Sequence, residues 1–421
     1  MCISPADVQF SSTKLHIHDH FALLPTCGAA RTSLAWKAAP MVSYDVLVIG
    51  GGIAGVSIAY ELASDHSVGV LETEATLAFH TTGRSVATFL ESYGGRTIRL
   101  LTSASRDFME NPPGGFSRPL LKPLPLVWVA PHGEIEDLRS MRDAVAEFVP
   151  SIEELSADEA INATKVMRPD WVAAGLLEPG ASEIDVAALH GGYVRGLRDR
   201  GGAIHTSTAV AALRRIGDRW QATDHSGNQF EASVVINASG AWCDQVAVLA
   251  GVEPVGIHPL RRTVFTVGAP PDVDPHTIPL TGDVNGTFYF KPEGPQILCS
   301  PADETPSEPC DAKPEELDIA KAIDVINAAT TLDIRHVRSS WAGLRSFVAD
   351  RSPVAAFDDR IDGFFWFVGQ GGYGIQIAPA LARAGASLIR SGQLPDELVT
   401  RGLDASALDR ARLAGLTLEG H

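Results

Sequence analysis

Three glycines near residue 50 have a spacing that suits the binding of a pyrophosphate. Gly50, Gly52 and Gly55 form the pattern G-x-G-x-x-G directly after residues 44–49, an apolar and β-branched run typical of a buried strand. The first glycine of such a pattern makes a tight turn, the second lets the backbone approach the pyrophosphate, and the third allows close helix–strand packing. A helix predicted to begin at Ile53 would present free N–H groups to the anion. These residues predict a dinucleotide site.

An acidic residue at the end of the next predicted strand completes a βαβ unit. The helical pattern covers residues 53–64, and the strand over residues 66–71 ends at Glu72. A carboxylate at that position can bind ribose hydroxyls, and an acid there disfavours a 2′-phosphate. The glycine pattern alone is a weak signal, but strand, helix and acid together make dinucleotide binding the main prediction. They do not decide between FAD and NAD.

A second glycine-rich turn lies near the C-terminus. Residues 370–374 read QGGYG and connect a predicted buried strand over residues 364–368 to a predicted helix over residues 374–390. A turn that opens a helix can direct backbone N–H groups at the edge of a flavin ring, where they stabilise its anionic reduced form. The alternative is a simple tight turn before a packed helix.

Pieces of a nucleotide-binding fold therefore lie at both ends of the sequence, with a mixed middle region between them. This order predicts an α/β (α+β) protein in which a discontinuous Rossmann-like FAD-binding domain carries a second, mostly antiparallel-sheet substrate domain. The predicted FAD-binding domain comprises residues 41–120, 184–255 and 345–404, and the substrate domain residues 121–183 and 256–344. Residues 1–40 are expected to be a poorly ordered N-terminal extension and residues 405–421 a tail.

Composition and charge exclude several classes of protein. The chain has 421 residues, with 34 Lys and Arg against 51 Asp and Glu, a formal charge of −17. Nucleic acids and anionic membranes are recognised by clustered basic surfaces, so neither partner is expected. The apolar fraction of 45% and the charged fraction of 20% are ordinary for a globular protein.

Cysteine spacing and hydropathy point to a cytoplasmic protein. The five cysteines form no C-x-x-C pair, which disfavours a zinc or thioredoxin-type site and favours a reducing compartment; no metal site is expected. Residues 363–382 are uncharged and long enough to span a bilayer, but they contain Gln370, Gln376, Pro379 and five glycines. A buried strand, turn and helix is the better interpretation, so no transmembrane segment is expected.

Six motifs in a fixed order carry a resemblance to a known family. They are VIGGGIAGVSIAYELA at 48–63, HTTGRSVA at 80–87, SYGG at 92–95, INASGAWCD at 236–244, WAGLRSFVADRSPV at 341–354 and FVGQGGYGIQ at 367–376. In this order they resemble the D-amino acid oxidase superfamily of flavoproteins over about residues 41–404. Within the superfamily the sequence is most similar to the bacterial D-arginine dehydrogenases.

The resemblance implies a noncovalent FAD and a D-amino acid substrate. Hydride would pass from the substrate Cα to flavin N5, the imino acid would hydrolyse to a 2-oxo acid and ammonia, and an unidentified acceptor would take the electrons. Relatives with covalent flavin use a cysteine beside the ring, and the region around Arg345 has none. The cofactor contacts that the resemblance implies are Gly50, Gly52, Ile53, Ala54, Gly55, Glu72, Arg84, Ser85, Val210 (through its backbone, to adenine), Gly240, Gly371, Gly372, Tyr373, Gly374, Ile375 and Gln376.

The resemblance also implies a set of substrate contacts. Arg345 follows a strand-like run, and a guanidinium fork suits a carboxylate in bidentate geometry. Arg262 and Tyr289 match further carboxylate contacts, Tyr93 matches a tyrosine on the lid side, and the carbonyl of Gly372 matches one that faces the substrate amine.

Each of these side chains also has a purely structural interpretation. Arg345 could form an ion pair with Asp350 or Asp359. Arg262 could be a solvated surface charge, and Tyr289 could be a core aromatic residue.

Two departures from the family pattern concern specificity. Thr88 stands where the family dehydrogenase has a histidine near the amine, and Leu126 stands where it has the acid that pairs with the guanidinium of D-arginine. Because residues 124–129 are apolar, a neutral or hydrophobic side chain is expected instead. Sarcosine-type oxidases carry a lysine near flavin N5, and residues 298–300 supply none here, which implies weak reaction with oxygen.

Two alternatives remain open at the level of function. One is an FAD-dependent oxidoreductase for 2-hydroxy acids or secondary amines of the sarcosine type. The other is a non-catalytic flavin-binding protein.

Overall fold

The computed structural model describes residues 41–417, so the predicted N-terminal extension and the end of the predicted tail lie outside the described residues. In chain order the strands are β1 (Val42–Ile49), β2 (Val68–Leu71), β3 (Thr88–Phe89), β4 (Leu121–Pro123), β5 (Leu126–Pro131), β6 (Glu153–Ser156), β7 (Val172–Glu178), β8 (Ser182–Ile184), β9 (Ala203–His205), β10 (Val210–Ile216), β11 (Arg219–Asp224), β12 (Gln229–Asn237), β13 (His258–Gly268), β14 (Leu280–Asp283), β15 (Tyr289–Glu293), β16 (Gln296–Ser300), β17 (Thr305–Pro306), β18 (Val337–Phe347), β19 (Val354–Phe357) and β20 (Phe364–Val368).

The helices alternate with these strands and vary widely in length. The α-helices are α1 (Ile53–Leu62), α2 (Arg96–Glu110), α3 (Ile135–Val145), α4 (Ala157–Thr164), α5 (Val186–Asp199), α6 (Cys243–Leu249), α7 (Glu316–Ala329), α8 (Gly374–Ser391) and α9 (Asp396–Thr400). Short 3₁₀-helices cover Thr81–Arg84, Gly240–Trp242, Pro275–Thr277, Ala405–Leu408 and Arg410–Leu413. No helix among residues 41–417 is long and apolar enough to cross a membrane.

The first sheet has eight strands and carries the predicted nucleotide-binding elements. Its order is β10-β11-β12-β1-β2-β9, with β20 beside β12 and β19 beside β20. β1 runs parallel to β2 and β12, and β12 runs parallel to β20. Because parallel strands end at the same edge, the residues that follow Ile49, Leu71, Asn237 and Val368 meet there.

The second sheet has nine strands and is mostly antiparallel. Its order is β17-β13-β16-β15-β14-β5-β7-β6, with β18 on the free side of β13, and β14 and β5 form its parallel pair. The ladder between β13 and β18 is long and pairs Leu260 with Arg345 and Arg262 with Gly343. A third sheet, of order β3-β8-β4, is small.

The predicted fold class is confirmed, because a largely parallel sheet with helices carries a second, antiparallel sheet. The strands of the first sheet come from three separate parts of the chain, as the discontinuous arrangement requires. One predicted boundary cuts an element, since β18 runs through residue 345 to Phe347. The uncharged stretch over residues 363–382 forms β20 and the first half of α8, which is the expected strand, turn and helix.

Proline residues precede two of the elements. β5 begins at Leu126, directly after Pro125, which has no N–H to give to a ladder and whose carbonyl oxygen accepts the N–H of Leu280. α7 begins at Glu316, two residues after Pro314.

Candidate functional site

A cavity of about 1860 Å³ extends from the carboxyl edge of the first sheet to the second sheet. The two glycine-rich turns and Glu72 line one part of it, and Arg345, Arg262 and Tyr289 line another. The volume exceeds the roughly 300–1,000 Å³ of a site for one small ligand. The cavity therefore has room for a dinucleotide and a small substrate together.

The first glycine turn has the geometry that its sequence predicts. Gly50 has φ +110°, and a Cβ there would lie 2.5 Å from the carbonyl oxygen of Ala238. A Cβ on Gly55 would lie 1.8 Å from the carbonyl oxygen of Gly50, so helix and turn pack too closely for any side chain. A Cβ on Gly52 would meet only Thr82 Oγ1, at 3.2 Å, and would otherwise point into open space. Gly52 thus leaves the cavity wall clear where a pyrophosphate must approach.

Glu72 shapes the turn as well as lining the cavity. Its Oε2 accepts the N–H of Gly51 at 2.7 Å and its Oε1 accepts the N–H of Glu74 at 2.8 Å. On the opposite side, Nε2 of the buried His190 lies 3.0 Å from the carbonyl oxygen of Gly51. Burial lowers the pKa of His190, so this contact is made by a neutral imidazole at neutral pH.

The other cofactor contacts predicted between residues 53 and 240 also line the cavity. Its wall includes Ile53, Ala54, Arg84, Ser85, Val210 and Gly240. The guanidinium of Arg84 pairs with Asp311 and donates to the carbonyl oxygens of Ala312 and Ala342, at 3.0 and 3.3 Å. Arg84 therefore also ties the end of the βαβ unit to the second sheet.

The second glycine-rich turn, at residues 370–374, lines the cavity and also contacts β18 and Arg345. Gly371 has φ +52°, and its N–H donates to the carbonyl oxygen of Ser346 at 2.9 Å. A Cβ on Gly372 would lie 2.0 Å from Nη2 of Arg345, so the guanidinium can lie there only against a glycine. Gly374, Ile375 and Gln376 continue the wall, whereas the side chain of Tyr373 packs behind it, against the rings of Tyr93 and Phe347.

These residues fit a flavin dinucleotide. Gln370 lines the cavity next to the turn, and its buried Nε2 has no hydrogen-bond partner within residues 41–417, which leaves a donor for a cofactor acceptor. The two glycine-rich turns and the N-terminus of α1 line the same cavity. No cysteine lines this cavity in the described part of the chain, in agreement with a noncovalent cofactor.

The predicted carboxylate-binding residues converge on one point. Arg345 is 8% exposed; its Nη2 lies 2.8 Å from the hydroxyl of Tyr93 and its Nη1 lies 3.0 Å from Oε1 of Glu304. Nη2 of Arg262 reaches the same Oε1 at 3.2 Å, while its Nε donates to the carbonyl oxygen of Asp303 at 2.7 Å. The β13–β18 ladder makes Arg262 and Arg345 diagonal neighbours, which explains why both guanidinium groups reach one place.

Neighbouring charges shift the pKa values of Arg345 and Tyr93 in opposite directions. Burial works against the charge of Arg345, but Tyr93, Tyr373 and Glu304 outweigh that effect and raise its pKa above the ordinary value. Burial alone would raise the pKa of Tyr93, and the positive charges of Arg345 and Arg262 reverse this and lower it.

The structural interpretations of these residues hold in part, because Arg345 is ion-paired, with Glu304, and Tyr289 packs against an apolar cluster. Asp350 pairs with Arg412, and Asp359 lies beside Arg360, so neither binds Arg345. The side chain of Arg262 is 14% exposed and paired, and is therefore not a solvated surface charge. Tyr289 lines the cavity and packs against an apolar cluster at the same time.

That apolar cluster adjoins the arginines. It consists of Leu90, Leu124, Leu126, Ala181 and Leu280, with Tyr93, Trp128 and Tyr289 packed against it. Leu126 is 1% exposed, pairs with Leu280 of β14 and is among the residues around the cavity. Thr88 lines the cavity from β3. Glu91, two residues before Tyr93, pairs with Arg106 and is not part of the cavity wall.

Two residues at this point were not predicted as site residues. Glu304 lies in the loop between β16 and β17 and belongs to none of the six motifs, whereas Arg351 lies between β18 and β19, within the motif at 341–354. Nη2 of Arg351 is 2.7 and 2.8 Å from the two carboxylate oxygens of Glu304. Nothing in that motif pairs Arg351 with Glu304, and only the tertiary fold brings both residues to Arg345.

Comparison with known proteins gives a family and a fold. The sequence profile of the DAO family, described as FAD dependent oxidoreductase, matches residues 45–388. A bovine FAD-dependent oxidoreductase domain-containing protein 1 is 29% identical over 212 residues, 45% of this chain and 43% of its own length. Glycerol-3-phosphate dehydrogenase 1 of Mycobacterium tuberculosis is 27% identical over 337 residues, 72% of this chain and 63% of its own length. The chain thus spans less than two thirds of either protein.

Other relatives match over nearly their whole length. Glycine oxidase of Geobacillus kaustophilus is 22% identical over 82% of this chain and 93% of its own length. The crystal structure of L-proline dehydrogenase from P. horikoshii has a TM-score of 0.77 at 18% identity, covering 90% of this chain and 100% of that one. The structural match shows the fold, and the more specific likeness to D-arginine dehydrogenases stays a prediction.

The first testable prediction concerns the cofactor turn. Gly52→Val should fold but lose FAD, because its side chain would enter the space left for the pyrophosphate. Flavin content per protein and the thermal unfolding midpoint of the apoprotein measure the two effects. The control is Gly114→Val, at a position with open space around it and away from the cavity.

Full FAD occupancy in Gly52→Val would contradict the role assigned to this turn. In the wild-type protein, acid precipitation should release all the flavin as FAD. Flavin that stays with the precipitate would show a covalent bond.

Proposed function

The chain belongs to the DAO family of FAD-dependent oxidoreductases, and we propose that it oxidises D-amino acids with neutral, hydrophobic side chains. The observation that carries the proposal is the pair of guanidinium groups of Arg345 and Arg262 at the cavity wall, next to an apolar cluster. A substrate that carries a carboxylate and, close to it, an apolar substituent would match both the guanidinium groups and the apolar cluster. The D configuration rests on the resemblance to the D-arginine dehydrogenases alone.

The carboxylate would bind to Arg345, with Arg262 and the hydroxyl groups of Tyr93 and Tyr289 as further contacts. A buried guanidinium has lost its hydration, so a carboxylate bound to it makes a strong charge-assisted interaction. Gly372 lies against the same guanidinium, and its carbonyl is the predicted partner of the substrate amine.

The chemistry that FAD supplies when bound is acceptance of the hydride from the substrate Cα. The side chains of this chain contribute chiefly by holding the substrate in one orientation, which is a large part of the rate in such a step. The amine would enter in its neutral form, so that no strong base is required. The imino acid would then hydrolyse in water to a 2-oxo acid and ammonia.

The charge balance of the cavity argues against a cationic side chain. Glu304 is the carboxylate nearest to the carboxylate-binding arginines, and three guanidinium groups already neutralise it. A buried guanidinium or ammonium group of a substrate would therefore lose hydration without a free counter-charge. D-Arginine, the substrate that the most similar group in the superfamily would suggest, is expected to be poor.

A 2-hydroxy acid is the second candidate, because its carboxylate would use the same arginines. The observation that favours it is Tyr93, which lines the cavity beside Arg345 and could form a hydrogen bond with a substrate hydroxyl. Anaerobic flavin reduction by D- and L-amino acids, 2-hydroxy acids and N-methylglycine distinguishes the candidates. A holoenzyme that none of these compounds reduces would favour a non-catalytic flavin protein.

The second prediction concerns Arg345. Arg345→Met should bind FAD and lose kcat/KM for D-leucine by about 10–150-fold, as expected when a charge-assisted interaction of ~1.5–3 kcal/mol is removed. The matched control is Arg335→Met, which removes a surface arginine paired with Asp333. If Arg345→Met oxidised D-leucine as efficiently as the wild type, Arg345 would be excluded as the carboxylate-binding group.

The third prediction concerns side-chain specificity. D-Leucine, D-methionine and D-phenylalanine should exceed D-arginine and D-lysine in kcat/KM, because the apolar wall favours apolar area by ~25 cal/mol per Å². Leu126→Glu should shift the preference toward the cationic substrates, and Leu126→Met should not. A tenfold preference of the wild-type enzyme for D-arginine would show that Leu126 does not line the pocket or that another acid serves it.

The fourth prediction concerns the electron acceptor. Leu298 and Cys299 are buried within the second sheet, and no lysine lines the cavity within residues 41–417. Lys291 in β15, the strand before the one that carries Leu298 and Cys299, is buried and contacts Glu183 and Glu293. Dye reduction should therefore be much faster than hydrogen peroxide formation in air. Equal rates would identify an oxidase.

A further inference from the structure

One carboxylate of the protein itself lies where a substrate carboxylate is expected. Oε1 of Glu304 is 3.0 Å from Nη1 of Arg345 and 3.2 Å from Nη2 of Arg262. These are the guanidinium atoms that an incoming carboxylate would need. A ligand cannot bind between the two arginines while Glu304 remains there.

The guanidinium of Arg351 offers the carboxylate of Glu304 a second binding partner, next to Arg345 and Arg262. Nη2 of Arg351 contacts both oxygens of Glu304, at 2.7 and 2.8 Å, whereas Arg345 and Arg262 contact only one of them. The guanidinium of Arg351 stacks 3.9 Å above the ring of Phe347, which fixes its position. Glu304 can therefore give up Arg345 and Arg262 and still keep a charged partner.

The charges at this point also favour displacement by an anion. Three guanidinium groups face one carboxylate, so the group carries an excess of two positive charges before a ligand binds. Burial alone would raise the pKa of Glu304, but Arg351, Arg345 and Arg262 outweigh it and hold that pKa below its ordinary value. Glu304 is thus an anion at neutral pH and competes with other anions for the same donors.

We propose that Glu304 is a resident carboxylate that closes the substrate-carboxylate site in the ligand-free enzyme. An incoming carboxylate displaces it from Arg345 and Arg262, and Arg351 retains it in the displaced position. Glu304 thereby lowers the affinity for all carboxylates by the same factor. This inference rests on the proposed function only in taking the incoming group to be a carboxylate.

The direct test is carboxylate binding to the FAD-loaded enzyme, measured by isothermal titration calorimetry with propionate and with 4-methyl-2-oxopentanoate. Glu304→Gln keeps the size of the side chain and removes its charge, so both ligands should bind at least fivefold more tightly. The matched control is Glu315→Gln, which removes a carboxylate from the neighbouring Arg261 outside the cavity. Weaker binding of both ligands in Glu304→Gln would overturn the proposal.

The role of Arg351 has a test with the opposite sign. Arg351→Met should weaken propionate binding several-fold, because Glu304 would lose its alternative partner and remain between Arg345 and Arg262. The double variant Arg351→Met/Glu304→Gln should bind at least as tightly as wild type. If the double variant stays weak, Arg351 contacts the ligand directly and the retention role is wrong.

Substrate kinetics give an independent readout. In Glu304→Gln the KM for D-leucine should fall, whereas a role of Glu304 in holding the substrate amine would raise KM and lower kcat. Should no D-amino acid reduce the flavin while the calorimetric effects appear as described, the proposed function would fail and the displacement of Glu304 would stand.

Discussion

The burial of one guanidinium group governs the arrangement of this site. Arg345 is enclosed by protein, and a charge in that position is tolerated only with well-placed partners. Tyr93 and Glu304 supply hydrogen bonds, the rings of Phe347 and Tyr373 face it at 5.3 and 5.8 Å, and the absent side chain of Gly372 leaves the space in which it lies. Besides Phe347 of the same strand, the partners come from three other parts of the chain, near residues 93, 304 and 372, so the charge contacts several segments at once.

The same segments position the cofactor end of the cavity. The turn that makes room for Arg345 at Gly372 is bonded through Gly371 to β18 and continues directly into α8. From that helix, Gln376 binds the backbone of Leu90 and the hydroxyl of Thr102, and so holds the segment that carries Tyr93. The proposed substrate and cofactor contacts are therefore parts of one hydrogen-bonded structure.

Local signals in the sequence were enough for the fold and for the two glycine-rich turns that line the cavity. The turn at Gly50, the acid at Glu72 and the strand–turn–helix around Gly374 are each encoded within a few residues, and strand and helix periodicity gave their setting. The contact between Arg345 and Glu304 could not be predicted, because it joins residues 41 apart through the register of β13, β16 and β18. The hydrogen bonds from Gly51 and Glu74 to Glu72 could not be predicted either, because they form only once the chain is folded.

The central claim is that Arg345 and Arg262 receive the substrate carboxylate beside an apolar pocket. A crystal structure of the FAD-loaded enzyme with 4-methyl-2-oxopentanoate, the 2-oxo acid of D-leucine, tests it most directly. The account predicts the ligand carboxylate between the two guanidinium groups, its isobutyl group against Leu126, and Glu304 bound to Arg351 alone. A ligand with its carboxylate elsewhere, or with Glu304 still on Arg345, would contradict it.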